Sequence, residues 1–134
     1  MKRDPRLQPL SREHHHALVL ARHLERAPWS AAMGVDLQRP FEGALEPHFA
    51  LEERVLLPAL SAAGGADMVA QVLEQHGRLR ALARAAVAGD AEAARTLGAE
   101  LRDHVRFEEQ VVFPACEALP GVLDGLAREG RDPL

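Results

Sequence analysis

Two stretches of this chain carry the same pattern of ligand-type side chains. One is His48-Phe49-Ala50-Leu51-Glu52-Glu53-Arg54-Val55-Leu56-Leu57-Pro58, and the other is His104-Val105-Arg106-Phe107-Glu108-Glu109-Gln110-Val111-Val112-Phe113-Pro114. Both read His-x3-Glu-Glu-x4-Pro. On a helix, residues i and i+4 lie one turn apart on one face. His48 can therefore meet Glu52, and His104 can meet Glu108. An imidazole and a carboxylate that converge on one point are a metal-ligand pair. The neighbours say where each pair faces. Heptad steps give Phe41, Leu45, His48, Glu52, Val55 and Ala59 in the first copy, and Leu97, Leu101, His104, Glu108, Val111 and Ala115 in the second. Each stripe is apolar except at its His and Glu, and such a stripe faces a core. A carboxylate in a core is costly unless it is paired or bound to a metal. One copy alone reads as a buried His–Glu hydrogen bond; two in matching register point to a shared buried cation.

Further ligands must come from other segments. His76 lies on a face with Val69, Val72, Leu73, Leu79 and Ala83, so it points inward. His14, His15 and His16 are consecutive and point about 100° apart on a helix, so they cannot all enter a core. His14 continues to Leu18, Ala21 and Glu25 and is favoured; His16 continues to Leu20, Leu24 and Ala27 and comes second; His15 stands from Leu18 as His76 stands from Leu79. His23 reads as a solvated surface residue. Four imidazoles and two carboxylates, with Glu53 and Glu109 in reserve, exceed the needs of one tetrahedral zinc. Mixed nitrogen and oxygen donors suit iron, manganese or zinc. Two bridging glutamates plus two terminal histidines per ion make a symmetric dinuclear centre, with oxo, hydroxo, water or a small ligand completing each ion.

The elements that position these residues read as helices. Ala, Leu, Glu and Arg dominate a chain of 134 residues that has no Tyr, a composition that favours helix. Residues 1–10 read as an extended lead-in. Ser11 reads as the N-cap of a first helix that runs to about Ala27, before Pro28. Residues 29–39 read as a loop punctuated by Gly34 and Asp36. A second helix starts near Pro40 and stops at Gly64-Gly65. Asp67 caps a third that runs to about Ala88. Gly89-Asp90 is a tight link into a fourth, from Ala91 to about Ala118, and a short amphipathic tail helix follows. Four helices with mostly short links make an all-α, antiparallel up-down four-helix bundle. It occupies a single domain over 1–134, with its core over about 10–119. Pro47, Pro58 and Pro114 fall inside helices and are expected to kink or break them. The apolar tail from Val122 to Leu126 either covers the bundle end or meets a second copy in a homodimer.

Composition narrows the function. Net charge is −4, so no basic field invites nucleic acid. No run of about 18 apolar residues is evident to span a membrane, and Met1 to Pro9 shows no signal-peptide core; the expectation is a cytoplasmic protein. The one cysteine, Cys116, reads as a small buried apolar residue. All but one of the 16 basic residues are Arg, and with abundant Ala, Gly and Pro this suggests a GC-rich, bacterial genome. There is no flavin or nicotinamide motif.

The chain resembles the hemerythrin-like HHE cation-binding domains. The resemblance covers Leu10 to Leu119. It rests on Glu13-His14, on His48-x3-Glu52-Glu53 with Leu57-Pro58, on Glu74-Gln75-His76, and on His104-x3-Glu108-Glu109 with Phe113-Pro114. It implies a four-helix bundle around two non-haem iron ions bridged by two carboxylates. The ligands it implies are His14, His48, Glu52, His76, His104 and Glu108. It also implies binding or sensing of O2, NO or peroxide, or iron handling. Two departures stand out. Oxygen-carrying members place a second histidine one turn after the third-helix ligand, where this chain has Arg80. They also set the fourth-helix carboxylate five residues after its histidine, which would select Glu109. A binding module is the first reading; a small di-iron oxidase or peroxidase and a structural zinc-binding bundle are the alternatives.

Overall fold

The computed structural model describes residues 2–26 and 31–129, without the side chains of residues 31–33 and 35. Among these residues the chain forms four long helical rods and one short helix. They are α1 (Gln8–Arg26), α2 (residues 31–65), α3 (Ala66–Val87), α4 (residues 91–118) and α5 (Asp124–Arg128). Successive rods run antiparallel, as the bundle reading expected.

α1 begins earlier than Ser11. A turn closed by the Leu7 N–H on the Asp4 carbonyl at 2.9 Å starts it, with the Asp4 carboxylate accepting the Arg6 N–H at 2.9 Å. Pro9 then falls in the first turn, where a missing N–H costs nothing. The expected lead-in is therefore mostly turn and helix, and Ser11 lies inside α1 rather than capping it. The expected end of α1 near Ala27-Pro28 lies outside the described residues.

The expected loop is a second departure. Residues 31–39 are helical, and only 29–30 of that segment are undescribed. Gly34 does not punctuate a loop; its role is close approach. A Cβ there would stand 2.9 Å from the Val87 carbonyl oxygen of α3. Leu37, one turn on, is buried.

α2 turns back at Gly64, whose φ of +105° suits a residue without a Cβ. The N-cap of α3 is Gly65 with no side-chain bond, so Asp67 does not cap it. Asp90 does cap α4, accepting the Ala93 N–H at 3.0 Å.

The prolines do not end the rods; each falls just after a local widening of the helix. Phe41–Leu45, Glu52–Leu56 and Glu108–Val112 are wide π turns, each followed two residues on by Pro47, Pro58 or Pro114. A proline cannot donate to the carbonyl four residues back, and its ring crowds it. Here the residue before it donates five back instead: Glu46 to Phe41, Leu57 to Glu52 and Phe113 to Glu108. The extra residue rotates the stripe beyond each glutamate. Val111 is exposed and Val55 and Ala59 are half-buried, while Leu56, Leu57, Leu60, Val112, Phe113 and Cys116 are buried. The heptad reading fails at Val111 for that reason. Leu73 also faces out rather than in.

Two apolar clusters fill the bundle. One gathers Leu7, Leu10, Leu56, Leu60, Val72 and Phe113 with Val122, Leu123 and Leu126. The tail thus covers this bundle end, with Gly125 against Val55. The other gathers Ala21, Leu24, Phe41, Phe49, Leu97 and Leu101. The helical run Asp36–Val87 contains an 18-residue window of mean hydropathy 1.4, long and apolar enough by length and composition to cross a membrane. That differs from the reading of the sequence. The run is two rods, because Gly64 reverses it.

Candidate metal centre

Between the two apolar clusters lies a polar layer. His14, His48, Glu52, His76, His104 and Glu108 are each at most 3% exposed. α1 supplies His14, α2 supplies His48 and Glu52, α3 supplies His76, and α4 supplies His104 and Glu108. Their ligand atoms fall into two groups. His14 and His48 stand with Glu52 and Glu108, and His76 and His104 stand with the same two glutamates; within each group the atoms lie within 4.8 Å of one another.

The contacts inside these groups have ligand-set spacing. His48 Nε2 is 3.3 Å from Glu52 Oε2, His76 Nε2 is 3.1 Å from Glu52 Oε1, and His104 Nε2 is 3.5 Å from Glu108 Oε1. Donors bound about 2.1 Å from one ion at near-tetrahedral or octahedral angles lie roughly 3.0–3.4 Å apart. None of these three pairs has hydrogen-bond geometry. His48 Nε2, His76 Nε2, His104 Nε2, both Glu52 oxygens and Glu108 Oε2 are buried without a hydrogen-bond partner. Orphaned buried groups at this density are costly, and a bound cation would satisfy them. His14 Nε2 has a direct bond to Glu108 Oε1 at 2.8 Å.

The second ring nitrogens form a closed outer circuit. Glu13 of α1 accepts from His48 Nδ1 of α2 at 2.8 Å, and Glu53 of α2 accepts from His76 Nδ1 of α3 at 2.7 Å. Gln75 of α3 accepts from His104 Nδ1 of α4 at 2.6 Å, and Glu109 of α4 accepts from His14 Nδ1 of α1 at 2.7 Å. Each acceptor sits next in sequence to a residue of the inner set and holds the histidine of the following rod. On a neutral ring such a partner leaves Nε2 with its lone pair toward the centre; His14, with a carboxylate on each nitrogen, must give up its Nε2 proton to bind a metal. Glu53 and Glu109 thus act from outside the inner set. Sequence reasoning did not assign Glu13 or Gln75 a role. The available signal was adjacency: a residue beside an inward one lies about 100° round the helix, toward the neighbouring rod.

His15 and His16 are exposed on α1 and do not join the cluster, as is His23. The phase that buries Ala17, Ala21 and Leu24 buries His14. Arg80 also stays outside. Its guanidinium meets Glu46 and Glu53 at 2.7 Å each and lies over the Phe49 ring, which stacks on His76. It lines a surface cleft of about 400 Å³ with Phe41, Glu46 and Ala83, which includes none of the six inner residues.

Charge and burial act on each other here. Burial lowers the pKa of His14 and His76, but bonds to Glu108 and Glu109, and to Glu52 and Glu53, raise both above the ordinary 6.5 on balance. His48 is raised well above it, burial being outweighed by Glu52, Glu108 and Glu13. Burial would raise Glu108, yet His104, His14 and His48 hold its carboxyl well below the usual range. Burial pushes the Cys116 thiol up to about 12, which matches its reading as a small apolar residue.

A family model described as the hemerythrin HHE cation binding domain matches residues 5–116, and matches again over 68–129. The chain belongs to this hemerythrin HHE family. The second match contains the second copy of the His-x3-Glu-Glu motif. No curated protein and no solved structure gives a significant match. For a cation-binding family, two His/Glu groups with their buried atoms unsatisfied are the part of the fold suited to hold metal.

Proposed function

We propose that this hemerythrin HHE domain holds two iron ions, bridged by Glu52 and Glu108, and binds or senses a small oxidant or diatomic ligand such as O2, NO or peroxide, or handles iron. The carrying observation is the sharing of the same two carboxylates by two separate histidine pairs. A single four-coordinate ion would leave two of the six side chains without a role. His14 and His48 would hold one ion, and His76 and His104 the other. Three or four nitrogen and oxygen donors per ion suit iron, manganese or zinc. A pair of iron ions supplies one-electron chemistry toward small oxidants and open positions for diatomic ligands.

The chain's own residues set the conditions for that chemistry. Glu13, Glu53, Gln75 and Glu109 hold the rings so that the Nε2 atoms converge. Phe49 and Phe113 stack on His76 and His14, so aromatic rings flank the buried layer and its charges interact strongly. Burial of the six side chains also favours a second reading, a structural zinc-binding bundle. Metal analysis of untagged protein from iron-supplemented cells separates the two, together with visible spectra with and without oxygen and azide. About two irons per chain and bands that respond to azide support the proposal. Zinc with no spectral response supports the second reading. Turnover of peroxide with an added reductant would assign an enzyme instead of a binding module.

A further inference from the structure

The inner layer is nearly symmetric: each histidine pair meets the same two bridging glutamates. The surrounding layer is not symmetric. His14 and His48 are both held by carboxylates, Glu109 and Glu13. His104 is held by the neutral amide oxygen of Gln75. His76 is held by Glu53, but Arg80 takes both oxygens of that carboxylate, at 2.7 and 3.1 Å. Glu109 also meets a cation, Arg3, through one longer contact of 3.2 Å. A carboxylate on Nδ1 makes Nε2 a stronger donor and adds negative charge near the ion; an amide does the first weakly and the second not at all.

We infer that the two halves of this centre bind metal unequally, the His14/His48 half holding its cation more tightly than the His76/His104 half, with Gln75 and Arg80 as the positioning residues that set the difference. This rests on the two-ion reading. Outer partners of this kind change metal affinity about 10- to 100-fold, so the two binding steps should separate by that order. Gln75→Glu is close to isosteric and restores a carboxylate behind His104. Arg80→Met frees Glu53 while keeping an apolar stem over Phe49. Each should tighten the second step and leave the first nearly unchanged.

The experiment titrates metal-free full-length protein with Zn(II), following heat and total stoichiometry. Anomalous scattering from crystals loaded with one equivalent reads the occupancy of each half. The expected result is two resolved steps, occupancy concentrated at His14/His48, and a second step at least about 10-fold tighter in Gln75→Glu. Arg80→Met, read the same way, tests the point independently should Gln75→Glu not fold. Equal occupancy at one equivalent, filling first at His76/His104, or a second step unmoved in the folded variants overturns the asymmetry while two ions still bind. Saturation below two ions per chain overturns the two-ion reading and this inference with it.

Discussion

The inner glutamates stand in a buried layer beside imidazoles, and the neighbouring carboxylates, Glu53 and Glu109, are already engaged from outside that layer by His76 and His14. Glu52→Ala or Glu108→Ala should bring bound metal below about a tenth of the wild-type content, since each carboxylate serves both halves of the centre. His23→Ala should leave it unchanged, because His23 is exposed on α1. Metal analysis of the three purified variants checks this, and equal loss from His23→Ala and Glu108→Ala would refute the site. Five of the six inner residues were readable from the repeat and from His76 alone. Choosing among His14, His15 and His16 needed helical phase, and phase is a property of the whole rod. Glu13 and Gln75 stayed hidden for a different reason. Their partners lie on the next rod, and the sequence does not state how far one rod is rotated against its neighbour.

Helices bring the ligands together by close approach, and glycines permit it. Gly98 of α4 faces α1, where a Cβ would stand 2.7 Å from the Ala21 carbonyl oxygen and 2.8 Å from Glu25 Cγ. The oxygen belongs to a helix backbone and cannot turn aside. Gly98→Val should therefore push α1 from α4 and destabilise the metal-loaded protein by about 2–3 kcal/mol, despite the better helix propensity of Val. His14 rides on α1 and Glu108 on α4, so metal affinity should fall as well. Thermal unfolding and metal titration of the variant check both effects; an unchanged midpoint would mean that the rods have slack. The tail gives a parallel expectation. Leu126 is buried in the end cluster, so Leu126→Ala should cost about 2–4 kcal/mol, which denaturant unfolding can measure. The rods themselves were legible as helices. Their π turns were not, because a proline in an apolar-periodic run reads as a kink or an end. The extra residue in the wide turn removes the conflict and shifts the buried face by one position. That shift is why Val112 and not Val111 is buried. Gly34 misled for a related reason: a glycine that permits contact and one that breaks a helix look alike in sequence.

At the scale of the whole molecule, the polar layer makes stability depend on pH and on metal in opposite ways. In the metal-free protein His14, His48 and His76 have pKa values raised from the ordinary 6.5. A raised histidine contributes stability that is fully present below the unfolded value and lost as pH climbs through the folded one. Glu108 is depressed from the ordinary 4.5, so its contribution is present above that value and lost as pH falls through the lower one. Both hold together between 4.5 and 6.5. The midpoint of the metal-free protein should therefore peak in that window and decline by pH 8. Metal requires the same imidazoles without their protons. Its affinity should rise over the range in which the metal-free fold weakens, so the gap between loaded and metal-free midpoints should widen steadily from pH 5.5 to 8. Calorimetry on chelator-stripped and reloaded protein across that range reads both curves. A metal-free midpoint that keeps rising to pH 8 would show that the imidazole–carboxylate pairs do not hold the layer together. A constant gap would show that the ions bind without displacing protons from these histidines.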